Sequence, residues 1–259
     1  MTDPHRDRLT QAFTQQAVTM EDPALNTAFT SGLGWLVELA GPRPTDRLLD
    51  VAGGTGLVAR AFAPHVESVT VVDITVPMLE AGRAAAAAEG LDNVSYLEGD
   101  ATDLPFGDGS FGAVVTRFSL HHVPEPERVL DEIVRVTAAG GWILVKDLTA
   151  DADERLAARQ DEIEILRDDS HLRMPRPVQV GRWLQCRGCT VTRTEQRQLV
   201  RPLEPWLEQS VTPPARAQQV RDRLAAEIDG GEPTGTQPER REDGLWFRQT
   251  WEATLAVRP

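Results

Sequence analysis

The 259-residue chain contains very little lysine, cysteine or tyrosine, and it has no long apolar run. Lys146 is the only lysine, so nearly all of the positive charge is carried by arginine. No segment approaches the roughly 20 consecutive apolar residues that a membrane helix needs. The N-terminal residues are polar and lack the apolar stretch of a signal peptide. From these absences we predict a cytoplasmic protein that does not span a membrane.

The balance of charge is strongly acidic, with a formal net charge of −13. Proteins that bind nucleic acid through its phosphates usually present a basic face, so this balance argues against a nucleic-acid partner. Cys186 and Cys189 form a C-x-x-C pair, but no second pair of cysteines or histidines lies nearby to complete the four ligands of zinc. We therefore expect no metal site and a small molecule as the partner. The oligomeric state is open between monomer and homodimer.

Residues 48–56, Leu-Leu-Asp-Val-Ala-Gly-Gly-Thr-Gly, carry the strongest functional signal. An apolar strand leads into Asp50 and then into a turn that contains Gly53, Gly54 and Gly56. Glycine lets the backbone approach a ligand closely, and it adopts dihedral angles that other residues avoid. The backbone amides at the start of the helix that follows suit a polar or anionic group. We predict that a nucleotide-like cofactor binds at this turn.

Two cofactors are compatible with this turn. Residues 54–59 fit the dinucleotide fingerprint G-x-G-x-x-A, and Asp73 lies near the spacing expected of its ribose-binding acid. The other cofactor is S-adenosylmethionine (SAM), whose product is S-adenosylhomocysteine (SAH). Asp50 favours SAM, because a carboxylate can hold its amino group but repels a pyrophosphate. Asp73 and Asp100 follow the second and third strands, where they are placed for ribose hydroxyls and for an adenine amino group.

With these motifs in this order, the chain resembles the class I SAM-dependent methyltransferases, near the ubiquinone/menaquinone-biosynthesis type (methyltransferase type 11). Residues 50–56 match the D-x-G-x-G-x-G pattern of that family, except that Ala52 replaces the first glycine. The segments 99–101 and 104–106 and the glycine pair 140–141 also fall where the family has them. The resemblance covers roughly residues 8–200.

The resemblance implies a sheet of seven strands, in which the last strand is antiparallel and lies next to the sixth. It also implies that N-terminal helices and an insert after the fifth strand cover the substrate as a lid. The N-terminal segment that contacts SAM in the family corresponds here to Phe13 and Gln16, although Phe13 could instead pack its helix onto the core. The predicted cofactor-binding residues are Phe13, Gln16, Asp50, Ala52, Gly53, Gly54, Gly56, Asp73, Ile74, Met78, Gly99, Asp100, Ala101, Thr116 and Arg117.

The alternation of strand and helix signals between residues 46 and 148 predicts a doubly wound α/β fold with a mostly parallel sheet. Strands are predicted at residues 47–51, 69–73, 94–98, 113–117, 142–147, 190–200 and 245–257. Helices are predicted at residues 6–19, 23–39, 57–63, 78–89, 126–137, 152–168, 178–186 and 214–229, with Gly90 and Gly140 as helix stops and 230–239 as a mobile loop. We predict an N-terminal helical cap (1–41), a SAM-binding Rossmann-like core (42–150), and a lid insert with the C-terminal completion of the sheet (151–259).

His121 and His122 follow the fourth strand and are the best candidates for a general base, because histidine titrates near neutrality. Adjacent residues usually point in different directions, so one of the two is expected to face the cofactor. Alternatively, one or both only form hydrogen bonds to the loop or to the following helix. Arg117 ends the fourth strand and should have a carboxylate partner, which could come from SAM, from the substrate, or from Asp50 or Asp147.

Three further residues are candidates for contact with the substrate: His171 in the predicted lid, and Trp206 and Trp246. Each could equally belong to a solvated loop or to the core. If the tryptophans line a pocket, a flat or lipophilic small molecule would fit it. The predicted function is in-line transfer of the SAM methyl group to an O, N or C atom of a quinone-like or natural-product acceptor. The alternatives are a SAM-binding cyclase or sensor that transfers no methyl group, and an NAD-dependent oxidoreductase.

Overall fold

The computed structural model describes residues 4–259, without the side chains of residues 27 and 28. The strands are β1 (Arg47–Val51), β2 (Ser68–Asp73), β3 (Val94–Glu98), β4 (Phe111–Arg117), β5 (Thr137–Leu148), β6 (Thr190–Pro202), β7 (Glu239–Arg241) and β8 (Gly244–Val257). The helices are α1 (Pro4–Met20), α2 (Thr27–Thr30), α3 (Leu33–Ala40), α4 (Leu57–Phe62), α5 (Val76–Ala88), α6 (Pro126–Val136), α7 (Glu154–Arg167), α8 (Gln179–Cys186), α9 (Leu203–Gln209) and α10 (Pro214–Ile228). None of these helices is long and apolar enough to cross a bilayer.

The strands form one sheet in the order β3-β2-β1-β4-β5-β8-β6. Strands β1 to β5 are parallel, and β8 is antiparallel to both β5 and β6, between which it lies. The doubly wound α/β fold and the inserted antiparallel last strand are therefore confirmed. An eighth strand, β7, pairs only with β8. This strand has only three residues, Glu-Arg-Arg, and none of them is apolar, so the sequence shows no alternation that would predict a strand.

Two apolar layers enclose the sheet. Leu48 packs into one layer and Leu49 into the other, because consecutive side chains of a strand point to opposite faces. The first layer is completed by α3 and α4, and the second by α6 and α8. Each large side chain buried in these layers contributes about 1.5–3 kcal/mol to folding. Since both faces are covered, the ends of the strands are the part of the sheet left for a ligand.

The helix predicted over residues 23–39 is wrong, because the chain turns before α2 and breaks again before α3. Pro23 has no backbone N–H to donate, and the carboxylate of Asp22 accepts a hydrogen bond from the N–H of Ala24 (2.8 Å), which stabilises a turn. Gly32 then separates α2 from α3. A Cβ atom at Gly32 would lie 3.2 Å from Nζ of Lys146, so this turn is also closely packed.

One of the two predicted helix stops differs from the structure. Gly140 is not a helix stop, because α6 already ends at Val136 and Gly140 lies inside β5 with a φ of +72°. Its N–H donates to the carbonyl of Arg258 (2.9 Å), which ties β5 to the C-terminus. Gly90, in contrast, ends α5 in the left-handed region with a φ of +70°, as predicted.

The elements after β5 fall into two packing groups, and their role as a lid stays a prediction. Helix α8 packs into the second apolar layer, so it belongs to the core. Helices α7, α9 and α10 form a separate apolar cluster with β8, and α9 was missed by the sequence patterns because it is only seven residues long. The loop predicted to be mobile at 230–239 is held in place, since Gln160 donates to the carbonyl of Gly235 (2.7 Å). The division at residues 41 and 150 stays a prediction.

Candidate active site

A cavity of about 360 Å³ lies at the carboxyl ends of the strands, between the glycine turn, α1 and the loops after β4 and β5. This is the end of a doubly wound sheet at which ligands bind. The sequence-predicted residues that line it are Phe13, Gln16, Asp50, Ala52, Gly53, Gly54, Asp73, Ile74, Met78, Gly99, Asp100, Ala101, Arg117, His121 and His122. The fold thus brings most of the predicted cofactor residues and both histidines to one cavity, while their roles remain predictions.

The glycine turn is shaped by its own packing. Gly54 has a φ of +58°, a conformation that favours glycine. A Cβ atom at Gly53 would lie 2.7 Å from Cγ of Asp50, so only glycine fits there. Ala52 has a φ of +52°, which is strained for a residue with a Cβ atom. The substitution of the family's first glycine by Ala52 therefore leaves a local strain at the cavity wall.

Asp50 is the most unusual acid of the cavity. Its side chain is 1% exposed, and Oδ2 accepts a hydrogen bond from the N–H of Ala59 (3.1 Å). Oδ1 has no partner within residues 4–259. Burial raises the pKa of Asp50 to about 7, although the Arg117 charge lowers it. A buried oxygen without a donor calls for a donor from a ligand, and a cationic amino group would satisfy both its hydrogen-bonding capacity and its charge.

Asp73 and Asp100 face the same cavity from the ends of β2 and β3. Asp73 accepts hydrogen bonds from the N–H groups of Gly54 and Thr75 (both 2.8 Å), and burial raises its pKa. Asp100 accepts from the N–H of Thr102 (2.8 Å) and lies 3.4 Å from the guanidinium of Arg6. These bonds orient both carboxylates. Both oxygens of Asp73 and Oδ2 of Asp100 retain a second lone pair for a ligand, whereas Oδ1 of Asp100 also accepts from the hydroxyl of Thr102 (2.7 Å).

His121 is hydrogen-bonded through Nδ1 to Oδ1 of Asp147, and both side chains are buried. Asp147 also accepts from the N–H of Leu120 (2.9 Å), which fixes the carboxylate. Burial alone would lower the pKa of His121, but the Asp147 charge and hydrogen bond outweigh burial and raise it. Nε2 of His121 has no protein partner in the described part of the chain. This arrangement is that of a histidine base oriented by a carboxylate.

His122 has a different environment. Its Nδ1 lies 3.0 Å from Oγ of Ser170, which donates to Oδ1 of Asp168 (2.6 Å). Because the Ser170 hydroxyl donates its proton to the hydrogen bond with Asp168, the proton of the His122–Ser170 bond is assigned to Nδ1 of His122. Burial and the neighbouring His121 hold the pKa of His122 well below its usual value. Gln16 also donates to Asp168 (2.8 Å), so this network ties α1 to the loop after α7.

Neither Asp50 nor Asp147 forms an ion pair with Arg117, so a carboxylate partner from SAM or from the substrate stays a prediction. Arg117 donates to the carbonyl of Phe29 (2.8 Å) and stacks between the rings of Phe29 and Phe118. Asp147 is bonded to His121 instead, and Asp50 acts on Arg117 only through its charge. Burial lowers the pKa of Arg117 to about 10, although Asp50 raises it.

Five predicted site residues lie outside the cavity wall: Gly56, Thr116, His171, Trp206 and Trp246. Thr116 donates to the carbonyl of Val51 (2.8 Å), which supports the sheet beneath the glycine turn. His171 bonds to Asp161 (2.9 Å) behind His121. Trp206 packs against Phe247 in the cluster of α7, α9 and α10, and Trp246 bonds to Asp243 at the surface. His171, Trp206 and Trp246 thus lie away from the cavity wall, and their contact with a substrate stays a prediction.

Sequence reasoning missed several residues of the site. Asp147 could have been recognised, because it ends β5 beside β4 as the other acids end their strands. The others come from segments whose packing the sequence pattern does not reveal. The unexpected residues of the wall include Phe29, Arg167, Asp168, Arg201, Gln209, Gln249 and Trp251. No group of three or more metal-ligating side chains suited to a metal ion occurs in the part of the chain that the structure describes.

Known proteins share this domain and this fold. The family described as a methyltransferase domain matches residues 49–145. The uncharacterized methyltransferase YcgJ of Bacillus subtilis is 35% identical over 141 residues, which are 54% of this chain and 56% of YcgJ. The ubiquinone/menaquinone biosynthesis C-methyltransferase UbiE of Ruegeria sp. is 41% identical over 121 residues, which are 45% of this chain and 46% of UbiE. The chain thus spans about half the length of these curated relatives.

A solved structure extends the comparison to the whole fold. A candidate methyltransferase from Bacillus halodurans has a TM-score of 0.81 and 28% identity, and the match covers 88% of this chain and 99% of that protein. Residues 49–145 are thus a methyltransferase domain similar to that of the ubiquinone/menaquinone-type enzymes, and the chain has the Rossmann-like fold of the class I methyltransferases.

Proposed function

We propose that the protein transfers the methyl group of SAM to a small-molecule acceptor, and that His121, oriented by Asp147, takes the proton from that acceptor. One observation carries the proposal. The buried Asp50 carboxylate, with an oxygen that no described group satisfies, faces the same cavity as the His121–Asp147 pair. The match of residues 49–145 to a methyltransferase domain supports the same activity.

The residues around the glycine turn fit SAM better than a dinucleotide. Asp50 would hold the amino group through its unsatisfied Oδ1. Asp73 would accept from the ribose hydroxyls and Asp100 from the adenine amino group. The guanidinium of Arg117 would face the cofactor carboxylate. A pyrophosphate would instead meet the Asp50 carboxylate, which has the same sign of charge.

Bound SAM supplies a methyl group on a sulfonium, which is open to in-line displacement. The cavity walls orient the acceptor, and alignment of this kind can contribute about 7–11 kcal/mol to lowering a barrier. The neutral imidazole of His121 takes the acceptor proton on Nε2, and the Asp147 carboxylate stabilises the imidazolium that forms. A positioned general base contributes about 10²–10⁴-fold to the rate. His122 then holds α1 against the site through Ser170 and Asp168.

The test is formation of SAH from SAM in the presence of quinols, phenols and aromatic acids, with each product identified by its mass. We expect a product heavier by one methylene group for at least one acceptor. His121→Gln and Asp147→Asn should slow this reaction without changing SAH affinity. Asp92→Asn, an exposed carboxylate in the turn before β3, is the matched control and should behave as wild type.

Two other results would redirect the proposal. If an acceptor is converted to a product of unchanged mass while SAM stays intact, the protein uses SAM without transferring the methyl group, as a cyclase would. If His122→Gln slows the reaction and His121→Gln does not, the base is His122 and the role proposed for Asp147 fails.

A further inference from the structure

The cavity wall opposite the glycine turn is built by residues outside the methyltransferase domain. The ends of α7, β6 and α9 and the middle of β8 supply Arg167, Arg201, Gln209, Gln249 and Trp251. We call these five residues the acceptor wall. The domain match ends at residue 145, so the acceptor wall lies in the part of the chain where acceptor selection is free to differ from that of the relatives.

Arg201 is a buried cation without an ion pair. Its side chain is 4% exposed, and Nη1 donates to the neutral amide oxygen of Gln249 (2.8 Å). Within residues 4–259, no carboxylate lies at ion-pair distance from its guanidinium. Burial and the nearby Arg167 charge lower the pKa of Arg201 to about 9. A charge in such a place is costly unless an anion joins it.

Gln209 is a second polar residue of the acceptor wall whose side chain lacks a partner among the described residues. It lines the cavity with a side chain that is 0% exposed. Neither its amide nitrogen nor its amide oxygen has a partner in the described part of the chain. The residue is held firmly, because its carbonyl accepts a hydrogen bond from the hydroxyl of Thr19 (2.6 Å). A buried amide without partners is unfavourable, so a ligand with polar oxygens would satisfy it.

The two buried acids nearby do not supply the missing charge. Glu164 accepts from the amide of Gln249 (2.6 Å) and lies 3.6 Å from Arg167. Asp168 accepts from Gln16 and from Ser170. Arg167 and Arg201 thus lie near two carboxylates, Glu164 and Asp168, and neither carboxylate is at ion-pair distance from Arg201. Of the two arginines, Arg201 is the one left without an ion-pair partner in the described part of the chain.

Flat apolar surfaces border the cations. The ring of Phe29 lies 5.4 Å from the guanidinium carbon of Arg201, measured to the ring centroid. Phe118 packs edge-on against both Phe29 and Trp251, with centroids 5.1 Å and 5.0 Å apart. Phe118 also has a φ of +55°, so its ring is held in a conformation that a bulky residue rarely adopts.

We propose that the methyl acceptor is an organic carboxylate with a flat apolar body, whose carboxylate is bound by Arg201 and Gln209 and whose body lies against Phe29 and Trp251. The guanidinium of Arg201 can donate two parallel hydrogen bonds to a carboxylate, and the amide of Gln209 can donate a third. This inference rests on the proposed function, because it names the acceptor class of that site.

The test compares three acids with their carboxamides: benzoate with benzamide, cinnamate with cinnamamide, and 2-naphthoate with 2-naphthamide. Each compound is titrated calorimetrically into wild-type protein that is saturated with SAH. We expect at least one acid to bind about tenfold or more tightly than its amide, which is the effect of a charge-assisted hydrogen bond. Arg201→Met should abolish that preference, whereas Arg201→Lys should retain part of it. Arg248 pairs with Val200, next to Arg201 in the sheet, but it does not line the cavity. Arg248→Met should therefore keep the preference for the acid in full.

The unliganded stability of Arg201→Met gives a second readout. If Arg201 serves a ligand, removing its unpaired charge should leave the melting temperature unchanged or raise it. The proposal is overturned if no acid binds more tightly than its amide, or if Arg201→Met lowers the melting temperature and keeps the preference. Failure to bind SAH would reject the proposed function separately, and the acid–amide comparison can still be made without SAH.

Discussion

Replacing Asp50 by asparagine should stabilise the unliganded protein at neutral pH, although Asp50 belongs to the proposed cofactor site. Burial raises the pKa of this carboxyl group from 3.8 to about 7, so between these values the folded state binds a proton that the unfolded state does not. Stability then falls as pH rises through this range, because unfolding releases that proton and its release becomes more favourable at higher pH. Asparagine has the same shape, retains an oxygen for the N–H of Ala59, and does not titrate.

The size of the effect follows from the two pKa values. With a folded pKa of about 7, the titration of Asp50 lowers the free energy of unfolding by about 2 kcal/mol at pH 5 and about 4 kcal/mol at pH 7, relative to a pH below both pKa values. The advantage of Asp50→Asn over wild type should therefore grow by about 2 kcal/mol between pH 5 and pH 7. The Asp50 side chain is 1% exposed, so screening by solvent does not reduce this figure much.

The assay is urea-induced unfolding of both proteins at pH 5, 6 and 7, with the free energy of unfolding extrapolated to water. Titration of other groups, such as Asp168 and His121, is common to both proteins and cancels in the difference. Asp92→Asn, at an exposed carboxylate, should show no difference that depends on pH. A difference between Asp50→Asn and wild type that stays constant across the three pH values would refute the reasoning.

Three further predictions concern other parts of the site. Asp147→Asn removes the charge that raises the pKa of His121, so the acidic limb of the pH–rate profile should move to lower pH. Methyl transfer should slow by about 100-fold while SAH affinity stays unchanged. An unaltered rate would exclude the role proposed for the His121–Asp147 pair. Ala52→Gly relieves a φ of +52° and should raise the free energy of unfolding by about 1 kcal/mol, whereas Ala84→Gly in α5 should lower it by about as much, as thermal unfolding would show. Trp206→Ala should cost about 3–5 kcal/mol in stability while SAH affinity stays the same, and weaker SAH binding by the folded variant would contradict its placement in the core.

The part of the site that the sequence predicts best is the part made by strand ends. Asp50, Asp73 and Asp100 each follow a short apolar run, and the carboxyl ends of parallel strands meet at one edge of the sheet. Their convergence therefore needs only the strand pattern and the strand order. The same argument extends to Asp147 at the end of β5, whose pairing with His121 the pattern allows but does not single out.

The acceptor end of the cavity was not predictable in this way. Arg201 lies in a strand of mostly exposed residues, so its own burial depends on α7 and α9 packing over it. Trp206 has the composition of a pocket residue, but apolar packing against Phe247 places it in the core. A sequence pattern records which residues are apolar, whereas the choice between core and cavity is made by contacts between distant segments.

The cofactor assignment is the central claim, and calorimetric titration of the purified protein with SAM, SAH and NAD⁺ tests it most directly. The structure leaves one oxygen of Asp50 to be satisfied by a cationic donor, so we predict micromolar binding of SAM and SAH and no binding of NAD⁺. Asp73→Ala and Asp100→Ala should each weaken the binding of SAM. Binding of NAD⁺ without binding of SAH would contradict the account and identify residues 54–59 as a dinucleotide turn.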